Sequence, residues 1–406
     1  MPRYLVTTIR RHTPPSAPSG FLYVVEPHKK RALQQVQIIE PAYRELDANP
    51  RGGMRGCRGI AALDDQIAIA NASVIYRFDP HWKLLGLVSH PSAAAIHDIL
   101  FQDGTLWATA ARNDLLFQFS SGGDLVQHYY LRDPSPAIRT LDWQPRRLLD
   151  PERVRRGAIE FRDPRTHNEE TYDHAHLNSV APLPDGGVLA SLGLVLGSGF
   201  SSLLHLKARL VRLGVWSLLL RVNRGARRAL RLAPNMHSDL VVQPARARSA
   251  VVRIQPDGEH RLVLKLDDIT VPSHSLLTLA DGSGVYLNTT AGEVVHFDPG
   301  RGEVYSITKV TEGFLRGVTP LDERRLLLGS KRELLAFDLR DRRLVDSFEI
   351  TQDPNESVYD VKRLPDHYDA PPASLEERFA QEAGFPSAEL PQRGYQLPRR
   401  AETPPA

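Results

Sequence analysis

The sequence contains a single cysteine, Cys57, so no disulfide bond can form within the chain. This excludes a disulfide-stapled secreted scaffold and is typical of a protein kept in a reducing compartment. The first 20 residues lack the apolar core of a signal peptide. No run of about 18 uncharged apolar residues occurs either, so no membrane-spanning helix is predicted. These absences together predict a cytoplasmic protein.

A strong charge of one sign is also missing. The chain has 51 basic and 48 acidic residues, and its net charge of +3 is too small to predict a nucleic-acid partner. The sequence lacks a nucleophile elbow, a phosphate-binding glycine loop and a Cys-x-x-Cys pair. Several enzyme classes are thereby excluded, while the ordinary share of hydrophobic residues, 41%, fits a globular fold.

What the chain does contain is an internal repeat of about 40 residues. Each unit reads as a short strand, a turn with Asp, Gly or Pro, a second strand ending in small residues, and a third strand ending near Phe-Asp. Four short antiparallel strands in a unit of this length are typical of a β-propeller blade. The five units begin at Arg58, His97, His176, His274 and Arg316.

The two ends of the chain supply a sixth unit. Residues 357–365 (SVYDVKRLP) read as an inner strand that nothing follows, and residues 3–40 contain three strands that lack an inner partner. Pairing the two ends would close the ring and remove the exposed sheet edges. The predicted fold is therefore all-β, a six-bladed β-propeller over residues 1–369. A five-bladed ring with separate end segments is the alternative.

The leading residues of the blades are the candidate functional residues. In a propeller the first strand of each blade lines the central channel, and its leading residue lies at one mouth. Three consecutive blades offer histidine there, and a purely structural role would not require such side chains at equivalent positions. The alignment places in this ring Arg58, His97, His176, His274, Arg316 and Tyr359.

Four of these blade starts resemble a bacterial family of propeller-type proteins that has no assigned activity. The family carries His-Asp, His-Leu-Asn, His-Ser and Leu-Arg-Gly at these places, and the resemblance covers most of residues 54–340 outside the insertions. The family continues His-Ser with Pro-Arg, whereas this chain has Leu276 and Leu277. The resemblance implies a fold and a shared set of polar positions rather than a reaction. The matching residues are His97, Asp98, His176, Asn178, His274, Ser275, Arg316 and Gly317.

Three histidines at one mouth could bind a divalent metal ion, either zinc or iron. Neutral imidazole is the commonest nitrogen ligand for such ions, and three protein ligands with one open position describe a catalytic site. We predict His97, His176 and His274 as the metal ligands, and His174 or His237 could join or replace one of them. The alternative is a polar channel that binds no metal.

The remaining ring residues suggest an anionic substrate. Arg58 and Arg316 could bind a carboxylate or phosphate by forked hydrogen bonds, with Asn178 beside them. Tyr359 would be the proton donor. The peptide-amidating lyases are similar in architecture, with a three-histidine zinc site beside arginine and tyrosine, although none of their local motifs occurs here. Alternatively the arginines satisfy carbonyl groups, Tyr359 packs, and Cys57 is an inert buried thiol.

Two insertions interrupt the repeat. Residues 132–175, rich in proline and arginine, predict a long surface loop. The second insertion, 194–248, predicts a basic apolar helical segment in the third blade, because leucines and valines in 202–232 have helical spacing among eight basic residues. This segment could lie on an anionic membrane surface, close over the channel as a lid, or contact a protein. The Pro-rich segment 370–406 predicts an extended or disordered tail.

Two functions follow from this interpretation. The first is a metal-dependent enzyme of the lyase or hydrolase type that acts on a small or lipid-linked anionic substrate at the channel mouth. Redox chemistry joins this class if the metal is iron or copper. The second is a non-catalytic propeller that binds a ligand, a membrane surface or a protein partner through the same face. We expect the protein to be cytoplasmic, with peripheral membrane contact through residues 202–232 as a further option.

Overall fold

The chain folds into six four-stranded antiparallel sheets, the blades of a six-bladed β-propeller. This confirms the predicted fold, and the five-bladed alternative is wrong. The computed structural model describes residues 2–10, 20–37, 57–145 except 73, 91 and 94, 175–197, 210, 213–229, and 247–375 except 374.

Each blade is built from four strands in sequence order, with blade 6 shared between the two ends of the chain. Blade 6 contains β1 (Arg3–Arg10), β2 (Phe21–Glu26) and β3 (Arg31–Gln37). Blade 1 contains β4 (Ile60–Ala62), β5 (Ile67–Ala70), β6 (Val74–Phe78) and β7 (Leu84–Ser89). Blade 2 contains β8 (Ile96–Gln102), β9 (Thr105–Ala110), β10 (Leu115–Ser120) and β11 (Leu125–Tyr130).

Blades 3 to 5 repeat the arrangement. Blade 3 contains β12 (Leu177–Pro182), β13 (Val188–Val195), β14 (Ala247–Ile254) and β15 (His260–Ile269). Blade 4 contains β16 (His274–Thr278), β17 (Gly284–Asn288), β18 (Glu293–Asp298) and β19 (Glu303–Lys309). Blade 5 contains β20 (Val318–Pro320), β21 (Arg325–Ser330), β22 (Glu333–Asp338) and β23 (Arg343–Glu349). The inner strand of blade 6 is β24 (Glu356–Leu364).

The strands owe their positions to burial and to local turn chemistry. Middle strands such as β5 and β17 are buried on both faces and read as apolar runs, whereas the outer strands β19 and β23 are largely exposed. Between β8 and β9, Asp103 and Gly104 both have positive φ, 49° and 72°. This is the geometry of a tight two-residue hairpin, which Asp-Gly favours. Among the described residues, six hydrophobic clusters lie one between each pair of neighbouring blades, and a small seventh cluster of Leu196, Ala247 and Ile269 lies within blade 3.

The ring is closed by the pairing of β24 with β1. The two strands are antiparallel from Arg3 opposite Leu364 to Arg10 opposite Glu356. Glu356 is buried and accepts hydrogen bonds from the Tyr23 hydroxyl at 2.9 Å and from the Thr8 hydroxyl. The first strands and the last strand therefore form one blade, as the sequence predicts.

The inner strands of neighbouring blades touch each other all round the channel. Four side chains on these strands accept a backbone N–H from the inner segment of the next blade, which sets the position of one blade against the other. These contacts are Asp360 to Ile60 N (2.9 Å), Asp98 to Val180 N (3.0 Å), Ser179 Oγ to Ser275 N (2.6 Å) and Ser275 Oγ to Gly317 N (2.8 Å).

The two insertions are described in part. In the first, α1 (Pro136–Thr140) begins after Ser135, whose hydroxyl accepts from Ile138 N, and it contacts β15. In the second, α2 (Val215–Ala229) is helical, but residues 198–209 and 230–246 lie outside the described residues, so the helical insertion as a unit is not confirmed. None of the described helices is long and apolar enough to cross a lipid bilayer.

The predicted C-terminal tail begins as part of the core. Tyr368 and Leu375 are buried against blades 6 and 1, and the carbonyl oxygen of Pro371 accepts a hydrogen bond from Gln34. Residues 376–406 lie outside the described residues. The propeller packing therefore extends a few residues beyond the predicted boundary at residue 369.

The close approach of blades 1 and 2 generates the first prediction. A Cβ added at Gly59 would lie 2.8 Å from Asp98 Cα and 2.9 Å from Ile99 N, whereas a Cβ at Gly86 would meet no atom within 4 Å. Because the clash is with backbone, Gly59→Ala is expected to lower the free energy of unfolding by about 1–3 kcal/mol. The matched control Gly86→Ala is expected to change it by less than about 0.5 kcal/mol. Urea denaturation measures both, and equal midpoints would contradict this packing.

Candidate functional site

The three predicted histidines converge at one end of the channel. The ring centroids of His97 and His176 are 4.6 Å apart, and those of His176 and His274 are 5.6 Å apart. One ring nitrogen from each of the three residues lies within 4.8 Å of the others. In tetrahedral zinc coordination, bonds of about 2.0–2.1 Å put the nitrogens about 3.3 Å apart. The three side chains are therefore a group that could hold one metal ion.

Irregular backbone positions all three histidines. The inner strand of each histidine-bearing blade changes its register with its neighbour at this point, between residues 96 and 99, 177 and 179, and 274 and 276. His176 and Ser275 have φ values of 54° and 66°, in the left-handed region that ordinary residues avoid. Such bulges and strained residues redirect side chains and occur often beside functional sites. Here they turn the side chains of three different blades towards one point.

The contact of His274 with Thr289 constrains the tautomer of its ring. Its Nδ1 lies 3.4 Å from Thr289 Oγ1, and that hydroxyl donates its own proton to the carbonyl oxygen of Leu315 at 2.9 Å. Because the hydroxyl proton is used, Thr289 Oγ1 accepts from a protonated Nδ1. The lone pair of His274 is then on Nε2. A polar group that fixes the tautomer of a ligating histidine in this way is typical of metal sites.

Arg316 connects His97 to Tyr359. Its Nη2 lies 3.2 Å from His97 Nδ1, and its guanidinium carbon lies 3.3 Å from the centroid of the Tyr359 ring. A guanidinium only donates, so His97 Nδ1 accepts, and a neutral imidazole has one lone pair to offer. A metal ion on His97 must therefore replace this contact with Arg316.

Arg58 and Tyr359 complete the ring. The Arg58 guanidinium carbon lies 5.9 Å from the Tyr359 ring centroid, and its Nη1 donates to the carbonyl oxygen of Ile96 at 2.7 Å. Within the described part of the chain, the buried Arg58 Nε and Tyr359 hydroxyl have no hydrogen-bond partner. Leaving a buried donor unpaired costs about 1–3 kcal/mol. Two such donors in one ring could be satisfied by a bound ligand.

Asn178 occupies the position that the sequence predicts, beside His176, but half of its amide is engaged by backbone. Its Nδ2 donates to the carbonyl oxygen of Ser273 at 2.6 Å, while its Oδ1 is buried without a partner among the described residues. The described hydrogen bonds of Asp98 likewise go to the backbone amides of Val180 and Ile99. The carboxylate of Asp98 therefore holds blades 2 and 3 together.

A buried charge cluster beside the ring residues is not predicted by the sequence reasoning. Lys362 Nζ lies 3.6 Å from Asp360 Oδ1, and both line with Asp98 a space of about 10 Å³, room for about one water molecule. Burial raises the pKa of Asp98 to about 7, against the opposing effect of Lys362. Burial also raises the pKa of Asp360. The available signal was that Asp98 and Asp360 each directly follow a ring residue, as Ser275 does.

The ring keeps His97 and Tyr359 uncharged. Burial lowers the pKa of His97 well below its usual range, and the charges of His176, Arg58 and Arg316 act in the same direction. Burial raises the pKa of Tyr359, although Arg316 and Arg58 oppose that change. At neutral pH the site therefore offers a neutral imidazole and a protonated phenol.

Other candidates from the sequence are His174, His237 and Cys57. His174 and His237, the alternative ligands, lie outside the described residues. Cys57 is buried and has a φ of 58° next to Arg58. It lies in the hydrophobic cluster between blades 6 and 1, as expected for an inert thiol.

Comparison with known proteins supports the fold alone. No protein-family model and no curated protein match this chain. Among solved structures, the chain is similar to a protein of unknown function from Bacteroides caccae, with 9% identity, a TM-score of 0.50 and coverage of 90% of this chain and 99% of that chain. It is also similar to virginiamycin B lyase from Staphylococcus aureus, with 11% identity, a TM-score of 0.40 and coverage of 74% and 86%.

The unpaired hydroxyl of Tyr359 generates the second prediction. Tyr359→Phe removes a buried polar atom that has no partner among the described residues, so thermal stability is expected to stay the same or to rise by up to about 1 kcal/mol. Calorimetric melting of the two proteins measures the difference. Tyr23→Phe is the matched control, because it removes a hydroxyl that donates to Glu356 at 2.9 Å, and it is expected to lower stability. A clear loss in Tyr359→Phe would mean that the hydroxyl is structural.

Proposed function

We propose that this protein is a metal-dependent enzyme of the lyase or hydrolase type, which acts on a small or lipid-linked anionic substrate at the channel mouth. The observation that carries the proposal is the convergence of His97, His176 and His274, whose ring nitrogens lie within 4.8 Å of one another. The motifs around these residues also support membership of the uncharacterised bacterial propeller family that the sequence resembles. The three histidines that would bind the metal belong to the same ring as Arg58, Arg316 and Tyr359.

The three histidines would hold a zinc or iron ion, as neutral nitrogen ligands do. When bound, such an ion acts as a Lewis acid and lowers the pKa of its bound water. Three protein ligands leave at least one position open to substrate or water. The Thr289 contact would keep the lone pair of His274 on Nε2, towards the ion.

The rest of the ring would handle the anion and the proton. Arg316 and Arg58 would bind a carboxylate or phosphate of the substrate, since the guanidinium fork matches either group. Asn178 Oδ1, a buried acceptor, would contact the same substrate. Tyr359 would donate the proton to the leaving group, because its hydroxyl is protonated and has no described partner.

A non-catalytic propeller that binds a ligand is the second candidate function. One contact favours it: Arg316 uses the lone pair of His97 that a metal ion would need. The small space that His97, His274 and Arg316 help to line, about 10 Å³, also leaves room for little more than a water-sized group. In this case the arginines of the ring would bind an anion, and no reaction would be catalysed.

Metal content tests the proposal directly. Elemental mass spectrometry of the purified protein is expected to find near-stoichiometric zinc or iron, and His97→Ala, His176→Ala and His274→Ala are each expected to lose it, because two imidazoles bind far more weakly than three. The control is His81→Ala, an exposed histidine that pairs with Asp369 at 2.8 Å. A parent protein that is folded but contains no metal, even after reconstitution, like its three histidine variants, would support the non-catalytic candidate.

The competition at His97 gives a further prediction. Arg316→Leu removes both the donor on His97 Nδ1 and a neighbouring positive charge, so zinc affinity is expected to rise on the order of tenfold. Binding of inorganic phosphate to the same variant is expected to fall by a similar factor. Isothermal titration calorimetry with each ligand gives both values.

The control for this measurement is Arg363→Leu, which removes an exposed arginine that pairs with Asp366. It is expected to change neither affinity. A lower zinc affinity in Arg316→Leu would show that Arg316 supports the histidines rather than competes for them.

A further inference from the structure

Helix α2 presents an apolar stripe to solvent. Val215, Leu218 and Val222 are 38%, 58% and 63% exposed, and Leu213, just before the helix, is 65% exposed. Positions separated by three, four and seven residues lie on one face of an α-helix. Four large exposed apolar side chains within ten residues of chain form a patch of the kind that marks an interaction surface.

The charge around this stripe has one sign. Arg221 is exposed on the neighbouring face of α2, and the helix sequence also contains Arg224, Arg227 and Arg228 but no acidic residue. No Asp or Glu occurs anywhere from Gly186 to Ser238. A protein partner would ordinarily be matched by both signs of charge, whereas a basic helix with an apolar face is complementary to an anionic lipid surface.

The chain leaves the propeller for α2 on the face that carries the ring. Strand β13 runs antiparallel to β12, with Leu192 opposite Leu177, so the end of β13 lies beside the start of β12. Gly193 N donates to the carbonyl oxygen of His176, and Leu194 N donates to that of Ala175. The segment containing α2 therefore begins next to His176, at the channel mouth.

We propose that α2 docks this protein peripherally on an anionic lipid surface, with its apolar stripe in the membrane interface and the channel mouth on the membrane side. This docking does not depend on the metal site or on catalysis. It requires the exposed stripe of α2, the one-sided basic charge around it, and the exit of the chain beside His176.

Vesicle co-sedimentation of the full-length protein tests this proposal. Binding to vesicles of phosphatidylcholine and phosphatidylserine is expected to exceed binding to phosphatidylcholine alone on the order of tenfold and to weaken with added salt. Leu218→Glu and Val222→Glu are each expected to weaken binding on the order of tenfold. Arg221→Glu is expected to weaken binding only to the anionic vesicles.

The matched control is Val126→Glu, which alters an equally exposed valine (58%) on the outer strand β11 of blade 2 and is expected to leave binding unchanged. Circular dichroism and melting curves establish that each variant is folded. Light scattering in solution tests for a second copy as the occupant. Equal binding to both vesicle types, no binding, or an oligomer that Leu218→Glu converts to a monomer without any effect on vesicles would overturn the proposal.

Discussion

The pairing of β24 with β1 is the contact on which the rest of the molecule depends. It joins residues 3–10 to residues 356–364, almost the whole chain apart, and removes the two free sheet edges that an open ring would expose. Closure also places Tyr359 of β24 between Arg58 of the first blade and Arg316 of the fifth. The site is therefore assembled only when the ring is closed. The pairing of the two chain ends thus also determines the geometry of the channel mouth.

Hydrogen bonds from side chains to backbone fix the positions of neighbouring blades around the channel. Asp98, Ser179, Ser275 and Asp360 each bind an amide of the following blade, so that neighbouring inner strands keep a defined offset. Residues with a strained backbone, such as His176 and Ser275, persist where several surrounding contacts hold them in place. The bulges beside the three histidines cost some local stability, and the closed ring of sheets offsets it.

The site combines groups that favour opposite charges. The imidazoles can accept a cation, while Arg58 and Arg316 favour an anion, and the Arg316 contact on His97 Nδ1 couples the two preferences. A cation on His97 would take the lone pair that now accepts from Arg316. The buried Asp98 and Asp360 offset part of the positive charge of the arginines and of Lys362.

The repeat of turn residues and apolar runs was enough to predict the six blades and the joining of the two ends, because strand period and turn chemistry are local properties. The same repeat predicts equivalent positions for six residues, which are Arg58, His97, His176, His274, Arg316 and Tyr359. The sequence could not show that Arg316 uses the lone pair of His97, that Thr289 sets the tautomer of His274, or that Lys362 joins Asp98 and Asp360. The contact of Arg316 with His97 and the approach of Lys362 to Asp98 join different blades, and the contact of His274 with Thr289 spans 15 residues within blade 4. Only the closed tertiary structure decides such contacts, since distances between blades depend on how the whole ring packs.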